Sequence, residues 1–142
     1  MILKVKRLDP DIDLPKYQTA GASCFDLAAS EDVSISPGET KPVPTGLAFD
    51  IPEGYEVQIR PRSGITLNMK LRVHLGTLDS DYIGAVSMIV ENSDRGANPT
   101  TIRRGDRIAQ AALVKVEQAR LEEVMSISET ERGGDGFGRT GV

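Results

Sequence analysis

Two carboxylates and an aromatic ring fall within Gly76-Thr77-Leu78-Asp79-Ser80-Asp81-Tyr82-Ile83-Gly84, a segment bracketed by glycines that reads as a tight β-hairpin. A carboxylate held on such a bend can take a proton from water or from a sugar hydroxyl, and the Tyr82 ring can lie flat against a pentose. Asp and Ser also favour turns for local hydrogen-bonding reasons, so a plain Asp-rich turn is the competing reading. Upstream, Arg62-Ser63-Gly64 sets a guanidinium fork, a hydroxyl and a backbone-exposing glycine side by side. That trio is either a small phosphate nest or a strand-ending turn. Arg104-Gly105-Asp106-Arg107-Ile108-Ala109-Gln110 reads as a charged turn feeding an apolar strand, in which the Gln110 amide needs hydrogen-bond partners. The stretch from Glu131 to Gly141 carries five glycines, two arginines and the lone ring of Phe137. Ordered, it offers N–H groups, guanidinium forks and a flat apolar face to a phosphate chain and a base; left alone, it frays.

The elements that must position these residues have a period of two far more often than 3.6. Tyr55–Arg60 and Leu71–Leu75 alternate, and Val86–Val90 puts Val86, Met88 and Val90 on one face. Ile108–Val116 is an apolar run broken at Gln110, with the length of a strand buried on both sides. Shorter strands are expected at Ile2–Val5, Val33–Ile35, Lys41–Val43 and Gly46–Ile51. Turn signals separate them at Ser36-Pro37-Gly38, Ile51-Pro52-Glu53-Gly54, Asn92-Ser93-Asp94 and Arg104-Gly105-Asp106. About nine short strands so punctuated predict an all-β jelly roll or β-sandwich. The one helix expected is a turn or two around Ile65–Met69.

Composition narrows the chemistry. A chain of 142 residues makes one domain with one sizeable core. Its net charge of -4 argues against nonspecific nucleic-acid binding, so an anionic ligand must be met by a local cluster of arginines and N–H groups. No apolar run is long enough to cross a membrane, and the opening Met1-Ile2-Leu3-Lys4 does not read as a signal peptide, so a cytoplasmic location is expected. A single cysteine, Cys24, and a single histidine, His74, argue against a disulfide, a zinc site and a Ser/His/Asp triad. Gly136-Phe137-Gly138-Arg139-Thr140-Gly141 spells a dinucleotide fingerprint, but no helix follows it. Carboxylates, arginines, hydroxyls and glycines remain. With three Tyr, three Phe and no Trp to fill a core, burial between subunits is expected, hence a homo-oligomer.

The order and spacing of these clusters carry more than any one of them. Ala20–Leu27, then Pro61–Gly64, then Gly76–Gly84, then Arg104–Gln110, then Arg132–Gly141 resemble the five motifs of trimeric dUTPases, over the chain from about Ala20 onward. The resemblance implies a jelly-roll homotrimer that hydrolyses dUTP to dUMP and pyrophosphate, with Mg²⁺ on the triphosphate and sites shared between chains. It divides the chain into a jelly-roll domain over residues 1–125 and a flexible Gly-rich lid over residues 126–142. It implies that Asp79 activates the attacking water and bonds the sugar 3′-OH, while Tyr82 packs beneath the deoxyribose. The edge holding Val73, Gly76, Thr77 and Leu78 would read uracil through its backbone. Arg62, Ser63, Gly64 and Gln110 would bind phosphate oxygens, and Asp26 would reach the metal through water. From the lid, Phe137 would stack on uracil, with Arg132, Gly138 and Thr140 meeting base and phosphates. The chain departs from the family's usual pattern at Val73, where many bacterial members have Asn, at Arg139, where serine is usual, and at Ala85 and Ser87. A dCTP deaminase shares the implied fold but has a different hairpin, and a non-catalytic nucleotide-sensing trimer need not keep Asp79, Arg132 and Phe137 together.

Overall fold

A computed structural model describes residues 1–137. Eleven strands run in chain order as β1 (Lys4–Arg7), β2 (Phe25–Ala28), β3 (Val33–Ile35), β4 (Thr40–Pro44), β5 (Leu47–Asp50), β6 (Tyr55–Pro61), β7 (Leu71–Val73), β8 (Gly76–Leu78), β9 (Ser87–Asn92), β10 (Thr100–Ile102) and β11 (Arg107–Lys115). One helix, α1 (Ser63–Asn68), sits between β6 and β7, starting two residues before the stretch expected from the sequence. The architecture is all-β and jelly-roll-like. Its ladders order as β1-β5, β10-β3, β2-β11-β6-β8 and β4-β9-β7, every pair antiparallel.

One core joins all four ladders. Phe25, Leu27, Val57, Ile59, Ala109 and Ala111 meet Val43, Leu71, Met88 and Val90 from the opposing ladder, with Ile35, Ile102, Leu47 and Phe49 closing the ends. Val86, Met88 and Val90 share the buried face that their spacing predicts. In β11, Ile108, Ala109 and Ala111 join this core across a register shift, and Ala112 is buried as well. Among the described residues the buried rings are Phe25 and Phe49; Phe25 packs edge-on against Phe49 and the exposed Tyr17 at 6.0 and 5.6 Å. Branched aliphatics fill the rest, so this core closes within one chain despite the shortage of rings.

Three features depart from the sequence reading. The alternating stretch Leu71–Leu75 is not one strand: β7 ends at Val73 and pairs with β9, whereas β8 begins at Gly76 and pairs with β6. The segment changes ladders at His74 and Leu75, leaving β7 and β8 as edge strands of two different ladders. For the same reason Gly76–Gly84 is not a hairpin of two paired strands but a crossover from β8 to β9. Lastly, Asn92 reads as a turn signal yet ends β9 fully buried. Its amide donates to the Ile35 carbonyl at 2.9 Å and its side-chain oxygen accepts the Asp94 N–H at 2.9 Å, tying β9 to β3.

Candidate active site

The antiparallel register of β2, β11 and β6 sets Asp26 opposite Gln110, and Gln110 opposite Arg60, across three strands. Just beyond that row the chain leaves β6 and enters α1, which brings Arg62 to the end of the sheet. The Asp26 carboxylate is held between two guanidinium groups: Oδ1 lies 3.1 Å from Arg62 Nε and Oδ2 lies 3.1 Å from Arg107 Nη1. Arg62 Nη1 also donates to the Arg107 carbonyl at 2.6 Å, and the Gln110 amide donates to the Pro61 carbonyl at 2.8 Å. Side chains that pivot freely in solution are thereby fixed by charge-assisted and backbone bonds. In α1 the first backbone bond of helical spacing runs from Thr66 N–H to Arg62 C=O, which leaves the N–H groups of Ser63 and Gly64 without intrahelical partners. A Cβ built on Gly64 meets nothing within 4 Å, so the backbone there is open to an approaching ligand. Together these groups suit phosphate oxygens.

Arg107 was not singled out from the sequence. Its signal was its place three residues before Gln110, but a register shift between Arg107 and Ala109 breaks the strict alternation that would have revealed its direction. Around it, Arg104 is pinned to Asp9 at 2.8 Å and to the Ser30 carbonyl at 2.5 Å, and its N–H donates to Asp32 at 2.7 Å. The Arg104 guanidinium, bonded to Asp9, holds that carboxyl below the usual range; the Arg104 N–H, assisted by Arg103, does the same for Asp32. A cavity of about 370 Å³ opens here, bordered by Asp26, Arg104, Arg107 and Lys16.

Asp79 lies elsewhere. β8 pairs with β6 so that Gly76 faces Ile59 and Leu78 faces Val57, which carries Asp79 toward the Tyr55 end. Asp79 and Asp81 border a second cavity of about 600 Å³ with Tyr55, Glu56 and Gln118. The Tyr82 N–H donates to the Asp79 carbonyl at 3.1 Å, closing a turn that fixes the carboxylate and the ring relative to each other. Tyr82 is half exposed, and its hydroxyl donates to the Ala85 carbonyl at 2.8 Å. Val73 is buried, so that position presents only main chain, on the outer edge of β7, while Thr77 is exposed on β8. An edge strand offers the N–H and C=O groups that a base edge requires.

A third set is separate from both. Residues 117–137 are exposed throughout and form no strand or helix. Arg132 Nε donates to the Asp135 carbonyl at 2.8 Å within a local turn, and the Phe137 ring is fully exposed. Gly138 and Thr140 lie outside the described residues. One chain therefore gathers Asp26, Arg62, Ser63, Gly64 and Gln110 at the Pro61 end of β6, runs Gly76, Thr77 and Leu78 along β6 from Ile59 to Val57 toward Asp79 and Tyr82, and carries Arg132 and Phe137 on its exposed C-terminal stretch.

A model of the family described as dUTPase matches residues 10–141. The chain belongs to the dUTPase family. It is 48% identical over 143 residues to the deoxyuridine 5'-triphosphate nucleotidohydrolase of Nautilia profundicola, across 99% of both chains. It is 45% identical over 148 residues to a protein of the same description from Caldanaerobacter subterraneus subsp. tengcongensis, across 100% of this chain and 99% of the other. Among solved structures, the dUTPase of Staphylococcus bacteriophage 80alpha with dUPNHPP is similar to it with a TM-score of 0.92, at 26% identity over 99% of both chains. Family membership turns the three separated clusters into a geometric question, since a dUTPase must bring a water-activating group to a phosphate.

Proposed function

We propose that the chain hydrolyses dUTP to dUMP and pyrophosphate as a homotrimer, each site drawing on the Arg62 end of one chain, the Asp79 end of a second and the tail of a third. The activity is that of the family: the chain is a dUTP diphosphatase. The observation that carries the shared site is the separation of its parts along β6. Arg62 follows the last residue of β6 and Asp79 borders the first, so at about 3.3 Å per residue they stand roughly 20 Å apart. A base that activates water must come within one water of the phosphorus it attacks, while the arginine cradle must touch the same phosphate chain. A single chain does not meet both demands. Two copies do.

In this reading Asp79 takes a proton from water as the water oxygen bonds to the α-phosphorus, and the bond from that phosphorus to the bridging oxygen breaks. Pyrophosphate leaves, with its charge met by Arg62, Gln110 and the open N–H groups of Ser63 and Gly64. Phosphoryl transfer asks for positioning and neutralisation rather than a protein nucleophile, which suits a chain with one cysteine and one histidine. Among the described residues no three His, Cys, Asp or Glu side chains come together as a metal cage. That fits a magnesium site supplied chiefly by substrate phosphates and water, with Asp26 in reach through water. When bound, Mg²⁺ neutralises phosphate charge. The edges of β7 and β8 read uracil, Tyr82 lies beneath the deoxyribose, and the tail closes with Phe137 on the base and Arg132, Gly138 and Thr140 on base and phosphates. A closing segment of this kind excludes water once substrate is present. A cytoplasmic location belongs to the same proposal.

The test is direct. Incubation with Mg²⁺ and dUTP, dCTP, dTTP or UTP should yield dUMP and pyrophosphate from dUTP alone, and sedimentation should give a trimer. A fully active monomer, or deamination of dCTP, would reject the proposal.

A further inference from the structure

The Tyr82 ring is held from beneath by a residue with no side chain. A Cβ built on Gly84 would stand 2.6 Å from the Tyr82 hydroxyl oxygen, 2.7 Å from Cζ and 3.0 Å from Cε2. The first two are distances that real Cβ atoms essentially never adopt, and the third is tighter than almost all of them. Gly84 is not in the left-handed backbone region, unlike Gly38, Gly46, Gly54, Gly105 and Gly133, so backbone conformation does not call for glycine there. Close approach does. The far end of the ring is also tethered, since its hydroxyl donates to the carbonyl of Ala85, the very next residue. Its near end is set by the turn from the Asp79 carbonyl to the Tyr82 N–H. Three contacts thus fix one ring in a segment where Ile83 is 80% exposed and packs little.

We propose that Gly84 and the Ala85 carbonyl are positioning elements that set the height of the Tyr82 ring and thereby the discrimination between deoxyribose and ribose triphosphates. The inference rests on the reading that the ring lies beneath the sugar. Selectivity for a sugar lacking a hydroxyl is a matter of denying space and hydration to that hydroxyl, so it depends on where the ring stands as well as on its presence. A methyl group at position 84 lifts or tilts the ring by displacing its phenol end. A phenylalanine at position 82 keeps the ring and releases its tether. Both changes act through the height of the ring, so both should show in the ratio between the two sugars.

The test measures kcat and KM for dUTP and UTP, with Mg²⁺, in the full-length wild type and in G84A, Y82F, Y82A and the G84A/Y82A pair. G84A is expected to narrow the dUTP-to-UTP ratio of kcat/KM by about tenfold or more, with Y82F moving it the same way by less. In the pair, G84A should add nothing to Y82A, because the ring through which it acts is gone. If G84A does not fold, Y82F and the pair decide: an unchanged ratio in Y82F, or a further change from G84A in the pair, overturns the proposal. An unchanged ratio in folded G84A, while Y82A collapses it, overturns the positioning role and leaves the ring's role standing. A ratio unmoved in Y82A overturns the placement of the ring itself.

Discussion

Asp79 and Asp26 are carboxylates of the same chemistry in different surroundings. Asp26 is gripped on both oxygens by arginines and serves as an anchor. Asp79 borders an open cavity, with its backbone tied only to the Tyr82 turn. Asp79→Asn keeps the size and the turn but cannot accept a proton from water. Turnover should fall on the order of 10²–10⁴ with the assembly intact, as measured by kcat and sedimentation. At this scale the sequence offered candidates where residue type suggests a chemistry, as at Asp79, Tyr82, Arg62 and Gln110. It was unreadable where the role is a contact at a distance. Arg107 and Gly84 gained theirs from a bulge and from a ring folding back, neither of which leaves a periodic trace.

The strands were legible where alternation was long and unmixed. Val33–Ile35 appears as expected, and the strands expected at Tyr55–Arg60 and Ile108–Val116 appear shifted by a residue at their ends. β2 and β10 were not read, since four residues after the small-residue stretch Ala20-Gly21-Ala22-Ser23 and three after Asn98-Pro99 are too few for a pattern. The break at His74 was hidden because alternation continues straight through it while the pairing partner changes. Asn92 shows the same lesson in reverse: its polarity signals a turn, but its bonds make it an internal brace. Asn92→Ala removes this buried donor from the Ile35 carbonyl and the acceptor from the Asp94 N–H, and should lower stability by about 1–3 kcal/mol in urea unfolding. The loop around Arg104 carries a pH signature. Asp9 and Asp32 have pKa values lowered by folding, so they favour the folded state above the unfolded-state value and lose that contribution as pH falls through the lowered ones. Unfolding midpoints should therefore drop below about pH 4, and drop less steeply in the D9N/D32N pair.

For the molecule as a whole, the exposed run over residues 117–137 should let stability be separated from turnover. Leu121, Met125, Ile127 and Phe137 bury nothing within their own chain. Removing residues 132–142 should leave the melting temperature of the jelly roll nearly unchanged. On the proposed function, the same truncation takes away the stack assigned to Phe137 and the charge assigned to Arg132, contacts that would be made mainly in the closed complex. Such a loss appears in kcat as well as KM, here on the order of 10² or more. Full kcat in the truncated protein would show that the tail is only a frayed end.

The proposed division of each site between the two ends of β6 in different chains also implies a dose law. A chain carrying both Arg62→Ala and Asp79→Asn spoils one half of each of two different sites. Each working site in a mixture then needs two separate wild-type donors. With wild-type and doubly substituted chains mixed equally and assembled at random, about a quarter of the sites should work, against about half if each chain held its own site. Activity plotted against the wild-type fraction should follow a parabola rather than a straight line. Chains carrying only Asp79→Asn should give the straight line, because each site uses one copy of that residue. A cell holding one intact and one doubly damaged copy of the gene would thus lose more dUTP hydrolysis than its share of damaged protein.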